Sequence, residues 1–191
     1  MGSIELVTHD IGIMVGYAVA ATRPERVSRW VAIDAPLPGI GPWDRITQDP
    51  MMWHFGFGGH DMERPRRRPR AHLLDRFWNE LSVVPERFDE AKREHSRGAL
   101  RATRRHAGEL RPVPRVHAGR GEPEVPRTGQ TPNAGPGLRR WRPPSAGIGE
   151  VLRCVADDVE DAVIPDCGHW ITEEQPQATT DLVVEFLRRA R

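Results

Sequence analysis

Within its first 33 residues the chain passes from a short apolar run through a sharp turn into a longer apolar stretch and then a second run. That order commits it to a parallel sheet. Ile4, Leu6 and Val7 form the first run, and Thr8-His9-Asp10-Ile11-Gly12 the turn. Ile13 to Ala21 is long enough for a buried helix, and Pro24 stops it or starts the next turn. Val27 to Ile33 reads as a strand buried on both faces, and Asp34-Ala35-Pro36-Leu37-Pro38-Gly39 as a loop. Strand, turn, helix and strand make a βαβ unit, because two parallel strands require a crossover between them. The end of the chain repeats the pattern. Residues 150–156 look like a helix end, Val159 to Ile164 like a short strand, and Pro165-Asp166-Cys167-Gly168-His169-Trp170 like a loop. Pro176 suits the first turn of a last helix, which carries an apolar stripe of Leu182, Val183, Phe186 and Leu187. Arg188, Arg189 and Arg191 suit that helix's C-terminus.

The middle is different in kind. From Ser96 to Gly149 there are eleven Arg, eight Pro and nine Gly, and no apolar period of 2 or 3.6. Arg64-Pro65-Arg66-Arg67-Arg68-Pro69-Arg70 is similar, and only 74–95 between them looks helical. Such segments bury too little apolar area to offset chain entropy. Three regions are therefore expected: a core at 1–45, a cap-like, Arg/Pro/Gly-rich and poorly ordered segment at 46–149, and a second core piece at 150–191. GC-rich codons read out of frame give this kind of composition, and the pattern breaks abruptly at each edge of 65–73 and 96–149. For 191 residues the net charge of +1 gives no overall drive toward nucleic acid. Two cysteines, Cys154 and Cys167, make neither a disulfide framework nor a metal-ligand spacing. No signal pattern opens the chain and no apolar run is long enough to span a bilayer, so a cytoplasmic protein without membrane contact is expected.

Thr8-x-Asp10-x-Gly12 has the small-x-nucleophile-x-small form of a nucleophile elbow. A sharp strand-to-helix turn lifts one side chain above the sheet, and small neighbours relieve the crowding. The amide of Ile11 would then face the reacting centre, with the helix N-terminus behind it. An aspartate in that place implies a covalent alkyl-enzyme ester. The other reading of Asp10 is a cap of the following helix. His169 stands in a loop after the last strand, where a base belongs in the order nucleophile first, histidine last.

At these residues the chain resembles the α/β-hydrolase superfamily, in its epoxide hydrolase and haloalkane dehalogenase branch. Val7-Thr8-His9-Asp10-Ile11-Gly12-Ile13-Met14-Val15-Gly16-Tyr17 is similar to that branch's elbow, and Asp166-Cys167-Gly168-His169-Trp170 to its histidine loop. Arg23-Pro24-Glu25-Arg26-Val27 and Ala32-Ile33-Asp34-Ala35-Pro36 match the stretch after the elbow. Trp53-His54-Phe55-Gly56-Phe57, and Arg76 to Glu94, resemble segments of the helical cap. Together the matches cover roughly half the chain. The resemblance implies a doubly wound parallel sheet, truncated at its N-terminus, with a degraded helical cap insertion. It also implies Asp10 as nucleophile, His169 as the base that activates water, and a second carboxylate to orient His169. Asp34 is favoured for that carboxylate; the other place used in the family falls near 138–147, which contains none. Trp53 and His54 could contact a halide or substrate, or form an aromatic part of the cap core. The implied substrate is a small epoxide or organohalide, with no cofactor, metal or nucleic acid. Oligomeric state stays open.

The departures are equally specific. The family's early strands and His-Gly-x-Pro loop have no counterpart. The one tyrosine, Tyr17, lies on the elbow helix rather than in a cap, where epoxide hydrolases place their proton donors. Ile11, Ile13 and Met14 offer none of the arginines of haloacid dehalogenases. An inactive hydrolase remnant, a haloalkane or haloacid dehalogenase-like enzyme and, last, an Arg-rich nucleic-acid-binding protein are the alternatives. Without a complete lid, little turnover is expected.

Overall fold

A computed structural model describes residues 2–56, 70–106, 134–139 and 147–189. Strand β1 (Ile4–His9) runs into helix α1 (Ile11–Thr22), a short 3-10 turn (Pro24–Arg26) and strand β2 (Val27–Ile33). Helix α2 (Trp43–Thr47) and a 3-10 segment (Pro50–Gly56) follow, then α3 (Arg70–Leu81), a 3-10 turn (Pro85–Arg87) and α4 (Glu90–His106). Strand β3 (Ala134–Arg139), helix α5 (Ile148–Leu152), strand β4 (Val159–Val163) and helices α6 (Ile171–Glu174) and α7 (Pro176–Arg188) complete the order. The four strands lie in the order β1-β2-β3-β4, each pair parallel.

Strand β2 is covered on both faces, as the apolar run from Trp30 to Ile33 requires. Successive β2 side chains point opposite ways. Trp30 and Ala32 join Ile13 and Ala20 of α1 and Val151 and Leu152 of α5 in one core. Val31 and Ile33 join Ile164, Cys167, Ile171 and Phe186 in the other, beneath α7. Arg29 on the same strand is buried, and its guanidinium donates to the carbonyls of Phe186 (2.8 Å), Leu187 (2.6 Å) and Arg189. These are acceptors that a helix end leaves without intrahelical partners. The cation that closes α7 most completely thus comes from β2.

Two elements correct the reading of the middle. Helix α4 continues to His106, well past the expected helical end at residue 95, and β3 lies inside the segment expected to be poorly ordered. The β3 sequence Ala-Gly-Pro-Gly-Leu-Arg has no strand pattern. It is a strand because its backbone pairs with β2 on one side and β4 on the other, and position in a sheet outweighs propensity. The rest of the Arg-rich sequence, at 57–69, 107–133 and 140–146, lies outside the described residues. Strand β1 has a neighbour on one side only among the described residues. Ile4 and Val7 on it, and Ile11 and Val15 on α1, are exposed.

Candidate active site

The register of the sheet assembles the site. His9 pairs with Ile33, so the next residues, Asp10 and Asp34, leave adjacent strands at one level. The Asp10 amide donates to the Ile33 carbonyl at 3.2 Å and fixes that level. Both aspartates take left-handed backbone, with φ of 52° and 48°, which a short polar side chain tolerates better than a branched one. At Asp10 this is the sharp turn between β1 and α1, with ψ −128°. The crowding there falls on Gly16 more than on Gly12. A Cβ at Gly16 would stand 2.9 Å from Thr8 Cγ2 and 3.0 Å from Trp30 Nε1, whereas at Gly12 the nearest atom is 3.7 Å away. Thr8 is held in turn by the Trp30 indole, which donates to its hydroxyl at 2.7 Å.

The histidine loop follows β4, so all three groups sit beyond the C-terminal ends of parallel strands, where ligands of open α/β sheets bind. His169 Nδ1 lies 2.8 Å from Asp34 Oδ2, and its Nε2 lies 3.8 Å from Asp10 Oδ2. His169 and Asp34 are largely buried, with side chains 11% and 18% exposed, while Asp10 is 51% exposed and open to an incoming molecule. Burial opposes charge on the His169 ring, but the Asp10 and Asp34 carboxylates outweigh it and push its pKa up to about 9. The same contact with His169 holds the Asp10 carboxyl below its usual value against the effect of burial.

His9, immediately before the nucleophile, had no role in the sequence reading. Its ring lies 4.6 Å from that of His169, and its Nε2 is 2.9 Å from the His169 carbonyl oxygen. Burial, and then the neighbouring His169, keep its pKa below the ordinary value. A neutral His9 can therefore pack beside a charged His169 without repulsion. Ile11 heads α1 with an exposed side chain, and an amide at that position has no intrahelical acceptor. Trp53 and His54 form an aromatic wall with Phe77 of α3, at ring distances of 4.8 Å and 5.4 Å. The Arg76 guanidinium covers Trp53 at 3.9 Å. Burial lowers the His54 pKa, and its ring lies within electrostatic reach of Asp10 and His169. Tyr17, on α1, packs against the core, where burial raises its pKa. Cys167 is fully buried, and burial pushes its thiol up to about 11. Among the described residues no group of ligands could hold a metal ion, and no helix is long and apolar enough to cross a membrane.

No protein-family model matches the sequence, and neither does any curated protein. Solved structures do. Cfl2 from Burkholderia cenocepacia superposes with a TM-score of 0.71 at 25% identity, over 98% of this chain and 66% of its own. The epoxide hydrolase CorEH gives 0.68 at 21% identity, over 97% and 68%. A candidate α/β hydrolase from Nostoc gives 0.67 at 19%, over 99% and 67%. The chain has the α/β-hydrolase fold. It spans about two thirds of the length of these structures.

Proposed function

We propose that this α/β-hydrolase chain is a hydrolase of the epoxide-hydrolase type, working through an ester on Asp10. The observation that carries the reading is the single histidine between two carboxylates, with Nδ1 at 2.8 Å from Asp34 and Nε2 at 3.8 Å from the exposed Asp10. An Asp10 oxygen attacks a ring carbon of an epoxide. The C–O bond breaks, its electron pair passes to the departing oxygen, and that oxygen takes up a proton from solvent, leaving a hydroxyalkyl ester. Esterification removes the Asp10 charge. His169 is then held by Asp34 alone, its affinity for a proton falls toward the range of a general base, and Nε2 gives up its proton to solvent. Nε2 takes a proton from water, whose oxygen attacks the ester carbonyl. The Ile11 amide and the N-terminus of α1 suit the oxyanion that forms. Collapse, with the Nε2 proton passing to the departing ester oxygen, frees the diol and restores Asp10. A haloalkane follows the same course with halide leaving. Trp53 and His54 are assigned to the leaving side of the substrate, on the strength of their wall beside Asp10.

One observation favours a second reading, a remnant that forms the ester slowly or not at all. The one tyrosine available to protonate the epoxide oxygen is Tyr17, which lies on α1 and packs against the core. The test is hydrolysis of a panel of aryl and alkyl epoxides and bromoalkanes by the wild type and by Asp10→Ala. Turnover that vanishes in Asp10→Ala supports the proposal. Turnover that persists refutes it, and no turnover together with no ester in His169→Gln favours the remnant.

A further inference from the structure

Glu174, the last residue of α6, is 0% exposed, the most deeply buried acid of the described residues. No lysine or arginine forms a salt bridge with it among those residues. Instead its carboxylate collects main-chain donors from two directions. Oε1 accepts the Gly168 amide at 3.0 Å, and Oε2 accepts those of Val83 and Val84 at 2.8 and 2.9 Å. Three N–H donors match the acceptor sites of a carboxylate's two oxygens. One arm thus grips the residue before His169, and the other the turn that follows α3.

The same two segments meet at three more points. The His169 amide donates to the Leu81 carbonyl at 2.7 Å, and the Trp170 indole to the Phe77 carbonyl at 3.4 Å. Gly168 has no room for a Cβ, which would fall on the Leu81 carbonyl oxygen and 3.0 Å from Ser82 Cα. Phe77, on the same helix, builds the aromatic wall with Trp53 and His54.

We propose that Glu174 is a positioning residue for His169, its carboxylate locking the histidine loop to the end of α3 so that Nδ1 meets Asp34 and Nε2 faces Asp10. The inference rests on the assigned role of His169. The geometry makes the lock demanding. Glutamine has the same shape but only one oxygen. Whichever way its amide turns, the NH2 group faces either Gly168 or the Val83–Val84 pair, donor against donor. Aspartate keeps both oxygens but is one methylene too short to span both arms.

The test follows the His169 ring by NMR titration in the wild type, Glu174→Gln and Glu174→Asp, which needs no turnover. Both variants are expected to lower the His169 midpoint by about one unit or more, as its contact with Asp34 loosens. Where the wild type turns over an epoxide, kcat is expected to fall on the order of 10- to 100-fold with KM moving less than about twofold, as for a slightly misplaced group. An unchanged midpoint in a folded variant overturns the proposal, even if thermal stability drops. Should neither variant fold, hydrogen exchange of the wild type decides. The Gly168, Val83 and Val84 amides are expected to exchange together as one protected unit, and a Gly168 amide that exchanges freely while the other two stay protected overturns it. Failure of the Asp10 reading is distinguishable, because it removes turnover and ester without altering the effect of Glu174 on the His169 midpoint.

Discussion

Replacing Asp34 by Asn keeps the shape of the side chain and removes the charge at 2.8 Å from His169 Nδ1. With both carboxylates present, the His169 midpoint rises from the ordinary 6.5 to about 9. Each unit corresponds to about 1.4 kcal/mol between the two protonation states, so the protonated ring contributes about 3 kcal/mol to folding at its fullest. The folded value is above the unfolded one. The contribution is therefore complete below pH 6.5 and disappears as pH rises through about 9. In Asp34→Asn, burial still opposes the charge and Asp10, half exposed, is the remaining support. The His169 midpoint is expected to fall by about one unit or more, and stability at neutral pH by about 1–3 kcal/mol. Urea unfolding at pH 6 and pH 10 checks the second figure: the charge-dependent gap between wild type and variant narrows at the higher pH. Turnover, where present, is expected to fall by about 10³–10⁴, the scale seen when a triad carboxylate becomes an amide. A His169 midpoint near 9 in Asp34→Asn would refute the reasoning, because Asp34 would then contribute nothing to the histidine it touches.

The remaining predictions concern stability around the same loop. His9 and His54 are held below the ordinary histidine value, chiefly by burial. Their neutral forms support the fold above pH 6.5, and that support is lost as pH falls below it. Combined with His169, this places the greatest stability of the histidine cluster near pH 6.5, with a decline on either side in unfolding experiments; a monotonic rise from pH 6 to pH 9 would contradict it. Gly168→Ala is expected to cost about 1–3 kcal/mol, because the methyl meets the backbone of Leu81 and Ser82 rather than a flexible side chain. A neutral result in thermal unfolding would show that α3 yields freely beneath the loop.

Much of this site was legible before any coordinates. The elbow announced itself because strand, tight turn and apolar helix follow one another within a few residues. The apolar run from Trp30 to Ile33 in β2 required cover on both faces, and it has it. Asp34 was favoured because its place after β2 is one that the resembled family uses, and the His9–Ile33 register shows how adjacent parallel strands deliver Asp10 and Asp34 at one height. Other parts had no local signature. Strand β3 contains Pro and Gly, and only its two neighbours make it a strand. Glu174 looks like any surface acid of a short polar helix, since its three donors come from remote backbone. Arg29 reads as an interruption in an apolar strand until the open carbonyls at the end of α7 are seen above it. Glycine spacing pointed to Gly12, while the tight approach occurs at Gly16, one helical turn further on, where Thr8 and Trp30 converge.

The central claim is that Asp10 is the nucleophile and water attacks its ester. A single turnover in ¹⁸O-labelled water, with enzyme in excess over an epoxide, tests it most directly. The new hydroxyl of the first diol then derives from the Asp10 carboxylate. The product is expected to be unlabelled, and mass spectrometry of the peptide containing Asp10 is expected to show one ¹⁸O gained. A labelled diol in the first turnover, with Asp10 unlabelled, would mean that water attacks the substrate directly and would contradict the account.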